Sequence, residues 1–152
     1  ELLLVQQERD LDALAQQWTA MAAAATAPAW ATLYRHWAQW AVTTARAPLA
    51  PWCGRVTAFD WGGLPLLFLP GEIFAATALQ IRAALPGAPA PFVVSLADGV
   101  PGYIPAREAH AEGGYEVAEA HRYYGLPGAF APGSAEALAE AAIACSLGLA
   151  RT

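Results

Sequence analysis

The stretch from Leu69 to Glu116 constrains this chain most, because glycine or proline stands at every corner of it. The corners are Leu69-Pro70-Gly71-Glu72, Gly102-Tyr103-Ile104-Pro105 and Gly113-Gly114-Tyr115-Glu116. Proline locks φ and glycine opens positive φ, so the backbone path is prescribed where these residues fall. Before the first corner lies the apolar run Leu64–Leu69, a strand with Pro65 at its beginning or edge. Asp60-Trp61-Gly62-Gly63 is turn chemistry, and Arg55–Phe59 alternates as a half-buried strand, so the two runs form a hairpin. Pro70-Gly71-Glu72 then launches a helix with the apolar stripe Phe74, Ala78, Ile81 and Leu85, ending at Gly87. Phe92–Leu96 reads as a buried strand. Strand, helix and strand at this spacing predict a βαβ unit with parallel strands covered on both faces. The expected class is α/β: a mixed sheet with a βαβ unit and flanking helices.

Helices account for most of the remainder. Leu11, Leu14, Trp18 and Met21 recur at spacings of three and four, with Asp10 and Asp12 in the first turn. A second helix starts at Pro28, a favoured first-turn position, and carries Leu33, Trp37, Trp40 and Thr44 along one side. Trp30, Trp37 and Trp40 are read as large core or interface residues rather than a ligand-stacking surface, and His36 as exposed or satisfied. The opening Leu2-Leu3-Leu4-Val5 is a strand end. Ala106–Glu112 makes a helical turn or two, Tyr115–Ala120 is extended or irregular, and His121-Arg122-Tyr123-Tyr124-Gly125 is a polar, aromatic loop. A last helix begins near Ser134, an expected N-cap, with Leu138, Ala142, Cys145 and Leu149 on its apolar face.

Composition narrows the partners. The 152 residues are 57% hydrophobic and 14% charged, where about a quarter charged is usual. Apolar content at this level means either an unusually large buried fraction or a surface that faces another polypeptide, and the second reading is favoured. The net charge of −5 comes with no basic patch, which argues against nucleic acid as a partner. Cys53 and Cys145 have no zinc-type spacing and are expected to be small buried apolar residues. No apolar window is long enough for a membrane span, and there is no signal-peptide pattern. The chain starts at Glu1 rather than Met, and the expectation is a C-terminal piece of a longer protein.

Three polar residues sit at the glycine corners. Glu72 is placed at a helix N-terminus beyond an apolar strand, where it is either an acid on the helix dipole or a metal ligand. Tyr103 is placed at the same sheet edge, where a phenol can bind a cation that lowers its pKa. Tyr115 follows two glycines and can donate a hydrogen bond to a developing oxyanion. Each phenol can equally be a half-buried aromatic satisfied by backbone. His36, His110 and His121 show no paired ligand spacing, and no serine stands in an activating context.

Leu69-Pro70-Gly71-Glu72, Gly102-Tyr103-Ile104-Pro105, Arg107-Glu108 and Gly113-Gly114-Tyr115-Glu116-Val117 together resemble the neutral/alkaline, non-lysosomal ceramidases and their bacterial relatives. The resemblance is strongest from Val56 to Tyr124. It implies a zinc-dependent amidase that cleaves the N-acyl bond of ceramide or a related N-acyl lipid. By motif match it implies Glu72 and Tyr103 as Zn²⁺ ligands and Tyr115 as the catalytic tyrosine beside the substrate. The family's two histidine ligands and its serine have no counterpart here. The partner it implies is the N-terminal part of the same protein. The chain is then the C-terminal portion of a larger catalytic domain: helical segment 1–50, motif-bearing core 55–124 and final helix 133–150. Ala106 stands where the family commonly has threonine, and His110 where it has an aromatic, which loosens the ceramide assignment more than the zinc chemistry. The compartment stays open, and the resemblance is compatible with a secreted or periplasmic one. The competing expectation is a non-catalytic relative or subunit that binds lipid or protein.

Overall fold

The computed structural model describes residues 4–5, 10–85, 87 and 89–149. It combines helices with a small mixed sheet and two short strand pairs. Helix α1 (Leu11–Ala24) is capped by Asp10, whose side chain accepts from the Ala13 N–H at 2.9 Å. Helix α2 (Pro28–Val42) opens on proline, where a missing N–H costs nothing. The two pack through Trp18, Trp40 and Ala41, joined by Ala45 of the 3₁₀ turn that follows (Thr44–Arg46), with Leu11, Leu14, Met21 and Trp37 around them. Trp30 lies outside that core and stacks on Tyr34. His36 is exposed.

Of the opening apolar run, Leu4–Val5 forms β1; Leu2 and Leu3 lie outside the described residues. Strands β2 (Thr57–Trp61) and β3 (Leu64–Phe68) form the expected hairpin, with the first strand two residues later than the sequence suggests and the second starting at Leu64 as expected. The turn is Gly62-Gly63, with both φ positive, which suits the tight primed turns that match strand twist. After β4 (Glu72–Ile73) comes helix α3 (Ala75–Ala84), and then β5 (Phe92–Val94) pairs in parallel with β3. Strand β6 (Tyr103–Ile104) pairs in parallel with β4. Helices α4 (Ala109–Glu112) and α5 (Tyr115–Ala118) and a 3₁₀ segment (Ala120–Tyr124) follow. Strand β7 (Ala129–Phe130) pairs antiparallel with β1, and α6 (Ser134–Leu149) closes the fold.

The three-stranded sheet, in the order β2-β3-β5, has two unlike faces. Ala58, Leu67 and Val93 stand opposite one another on the first. They join a core with Ile81 of α3 and Ala135, Leu138, Ala139 and Ala142 of α6. Phe59, Leu66 and Phe92 stand opposite one another on the second, where Phe59 is 55% exposed, Phe92 58% and Trp61 74%. The expected two-sided cover is therefore corrected: both helices pack on the same face. The buried strand expected over Phe92–Leu96 is a half-exposed edge strand that stops at Val94, because Leu96 turns the backbone at φ 61°.

Other expectations shift as well. Tyr115–Ala118 is helical rather than extended, and the loop at 121–125 is a 3₁₀ segment capped by Gly125 at φ 67°. Both cysteines are free and exposed, not buried. The inner face of α6 is Ala135, Leu138, Ala139, Ala142 and Ser146, which leaves Cys145 outside, and Ser134 is the helix's first residue rather than its cap. No helix among the described residues is long and apolar enough to cross a membrane.

Candidate functional site

The chain leaving β3 is laced to the chain leaving β5. Leu69 N–H donates to Val94 O at 2.8 Å, Leu96 N–H to Gly71 O at 2.9 Å, and Gly71 N–H to Gly99 O at 2.9 Å. Gly71 has φ +70°, and a Cβ there would meet Ile104 Cδ1 at 2.7 Å and Gly102 O at 2.9 Å. Only glycine permits that approach, so the first corner motif and the second are bound to each other through backbone. The next link, Glu72 N–H to Gly102 O at 2.9 Å, begins the β4–β6 ladder.

That ladder sets Glu72 directly opposite Tyr103, with Ile73 opposite Ile104. Register partners on neighbouring strands project to the same face, so the carboxylate and the phenol share one side. The placement of Glu72 at a helix N-terminus is corrected here. Its N–H is used by the ladder, and α3 starts only at Ala75 with Phe74 in the cap position. No acidic residue lies in the first turn of α3, so a helix-dipole role does not explain Glu72.

Tyr115 opens α5 immediately after Gly113 and Gly114, at φ +72° and +98°. Its ring meets the Tyr103 ring edge-on, with centroids 6.1 Å apart, and the Tyr123 ring at 6.0 Å. The structure thus brings together all three residues singled out from the sequence. It adds a fourth: the Tyr124 hydroxyl donates a hydrogen bond to Glu72 Oε1. Tyr124 carries no motif and lies 52 residues from Glu72 in the chain. The one available signal was Gly125, whose left-handed cap turns Tyr123-Tyr124 from loop into the end of a helical turn.

The surroundings are acidic. Tyr124 is pushed up to about 12, first by its hydrogen bond to Glu72, then by desolvation and the carboxylate charge. Tyr103 is raised above the ordinary phenol value, again first by hydrogen bonding to Glu72, with the charge of Glu116 adding to it. Tyr115 is raised mainly by desolvation, then by Tyr123, Glu72, Glu116 and Glu119. All three phenols therefore hold their protons, and those of Tyr124 and Tyr103 are turned to the Glu72 carboxylate.

An oxygen-rich, negatively biased cluster of this kind suits a hard or borderline cation. Among the described residues, no three His, Cys, Asp or Glu side chains gather to hold a metal. His121 lies against Trp40 with ring centroids 5.6 Å apart, and His110 packs near Glu136, Arg107 and the Pro105 backbone. Within the cluster, Glu72 and Tyr103 are two oxygen donors set opposite each other on one face of the β4–β6 pair. No protein-family model, curated protein or solved structure matches the chain.

Proposed function

We propose that this chain supplies part of the site of a zinc-dependent amide hydrolase resembling the neutral ceramidases, acting on the N-acyl bond of ceramide or a related N-acyl lipid. The observation that carries this reading is the register pairing of Glu72 with Tyr103, with the Tyr115 ring against Tyr103. Three motifs separated in sequence converge on one face, as a shared site requires. Glu72 and Tyr103 would hold the Zn²⁺, which when bound polarises an amide carbonyl and acidifies a water. Tyr115 is 45% exposed and keeps its proton, so it can donate to an oxyanion forming beside the pair. The β3–α3–β5 segment is read as the βαβ unit of a larger catalytic domain. Two histidines and a serine come from an N-terminal part of the same protein, which meets this chain at its apolar surface.

Zinc content of the complete protein tests the reading. One equivalent is expected, and Glu72→Ala should lower occupancy and abolish amide hydrolysis. Full activity from residues 1–152 alone would sink it. The open Phe59–Leu66–Phe92 face favours a second reading, a non-catalytic lipid-binding or protein-interaction module. A metal-free complete protein, with Glu72→Ala silent, is the outcome that selects it.

A further inference from the structure

We propose that Tyr124 is a positioning residue for Glu72: its hydroxyl holds Oε1 and thereby fixes the rotation of the carboxylate that meets the divalent cation. The inference rests on the zinc reading above and deepens it. Three observations carry it. First, the Tyr124 hydroxyl donates to Glu72 Oε1 directly. A carboxylate swings about its terminal torsion, which is broad and shallow, and a bound donor removes that freedom. Second, the Tyr124 ring has a made seat. A Cβ on Gly102 would come within 2.7 Å of Tyr124 Cδ2, so the ring lies over the backbone one residue before Tyr103. Gly102, at φ +101°, is required both by its conformation and by the ring above it. The glycine of the Gly102-Tyr103 motif therefore serves Tyr124, and it ties the phenol beside the cation to the phenol behind the carboxylate.

Third, the segment bearing Tyr124 is clamped from its other side. The His121 ring meets Trp40, the Arg122 guanidinium lies 5.1–5.5 Å from the centroids of Trp18, Trp37 and Trp40, and Tyr123 meets Trp37 edge-on at 5.6 Å. Gly125 N–H closes the turn on the Arg122 carbonyl at 3.2 Å. Consecutive residues thus anchor the turn to the α1–α2 pair, while Tyr124 hydrogen-bonds Glu72. Outer partners of this kind orient metal-binding carboxylates, and their loss typically weakens metal binding 10–100-fold.

The test uses the complete protein and two probes, Zn²⁺ in competition with a chromophoric chelator and Co²⁺ alone by its visible absorption. Tyr124→Phe keeps the ring over Gly102 and removes only the hydroxyl. It is expected to weaken Zn²⁺ roughly 10–100-fold and to alter the Co²⁺ spectrum, with the melting midpoint unchanged. Tyr124→Leu, which also removes the ring, should weaken Zn²⁺ at least as much. A Zn²⁺ affinity within twofold of wild type for Tyr124→Phe overturns the proposal while leaving the zinc reading intact. Loss of metal as complete as in Glu72→Gln also overturns it, because Tyr124 would then be a ligand. A wild-type protein that takes up neither ion removes the zinc reading and this proposal together, an outcome distinct from the other two.

Discussion

Gly71 and Gly62 share a left-handed backbone but not a neighbourhood, and the difference isolates what the first glycine does. Gly62 at φ +61° has nothing within 4 Å of a built Cβ, whereas Gly71 at φ +70° has Ile104 and the Gly102 carbonyl inside 3 Å. Alanine at either position incurs about 1–2 kcal/mol of left-handed strain, and at Gly71 about 1–3 kcal/mol of overpacking besides. Urea denaturation should therefore find Gly71→Ala less stable than Gly62→Ala by about 1–3 kcal/mol; equal costs would mean the two corner motifs are not in close approach. A second residue-scale prediction concerns His110, whose pKa is lowered, first by desolvation and then by Arg107, against the opposing pull of Glu136 and the Pro105 carbonyl. The unfolded state then binds the proton more readily than the folded state. The neutral histidine's contribution is present above the ordinary value of about 6.5 and is lost as pH falls from there through the folded pKa. The stability-versus-pH profile of His110→Gln should be flatter than wild type across that window, and superimposable profiles would contradict the burial of this imidazole.

At the scale of elements, Arg122 shows where packing between segments decides structure that local pattern does not. Its side chain is 6% exposed and lies over three tryptophans supplied by α1 and α2. The Trp40 indole N–H reaches on to the Leu126 carbonyl at 2.9 Å. Desolvated cation–π contact is worth about 2 kcal/mol, and the guanidinium plane cannot be reproduced by an ammonium. Arg122→Ala should cost about 2–3 kcal/mol in urea denaturation, with Arg122→Lys restoring less than half of it. A loss below about 0.5 kcal/mol would place the guanidinium in solvent. The same contact explains what was legible beforehand. Helices α1 and α2 could be read closely from Asp10, Pro28 and the three-and-four spacing of their apolar residues, because their signals are local. The 3₁₀ segment could not, since its helical turn is held by tryptophans some eighty or more residues away in the chain and by a single capping glycine. Glu72 was misplaced for a related reason. Pro70-Gly71 followed by an acid is a good local helix start, and only the Gly102 carbonyl, across the β4–β6 ladder, turns it into strand. Glu72, Tyr103 and Tyr115 were found because each stands beside a glycine corner; Tyr124, which touches one of them most directly, has no such marker.

For the whole molecule, the apolar excess in the composition has a definite location. One face of the β2-β3-β5 sheet is closed by α3 and α6, and the other presents Phe59, Trp61 and Phe92 to solvent. Antiparallel sheets can tolerate one wet face, but they usually make it polar. Here the wet face alternates to aromatic side chains at positions directly opposite each other through Leu66. If this face meets an N-terminal part of the same protein, as the zinc reading requires of some apolar surface, its side chains are surface residues in the isolated chain and core residues in the complete protein. The two contexts should answer substitution oppositely. In the isolated chain, Phe59→Lys with Phe92→Lys removes largely exposed apolar area and the edge-on contact of Phe59 with Phe68, so the loss should stay near the roughly 0.5–1.5 kcal/mol of one aromatic pair, and binding of the dye ANS should fall. In the complete protein, the same pair would bury two unpaired ammonium groups, a change that typically destabilises by several kcal/mol. Melting curves of both forms, with and without the double substitution, decide the matter. A loss confined to the complete protein supports a covered face. Equal tolerance in both forms would leave Phe59 and Phe92 facing water throughout, and would place any contact with an N-terminal part elsewhere on the chain.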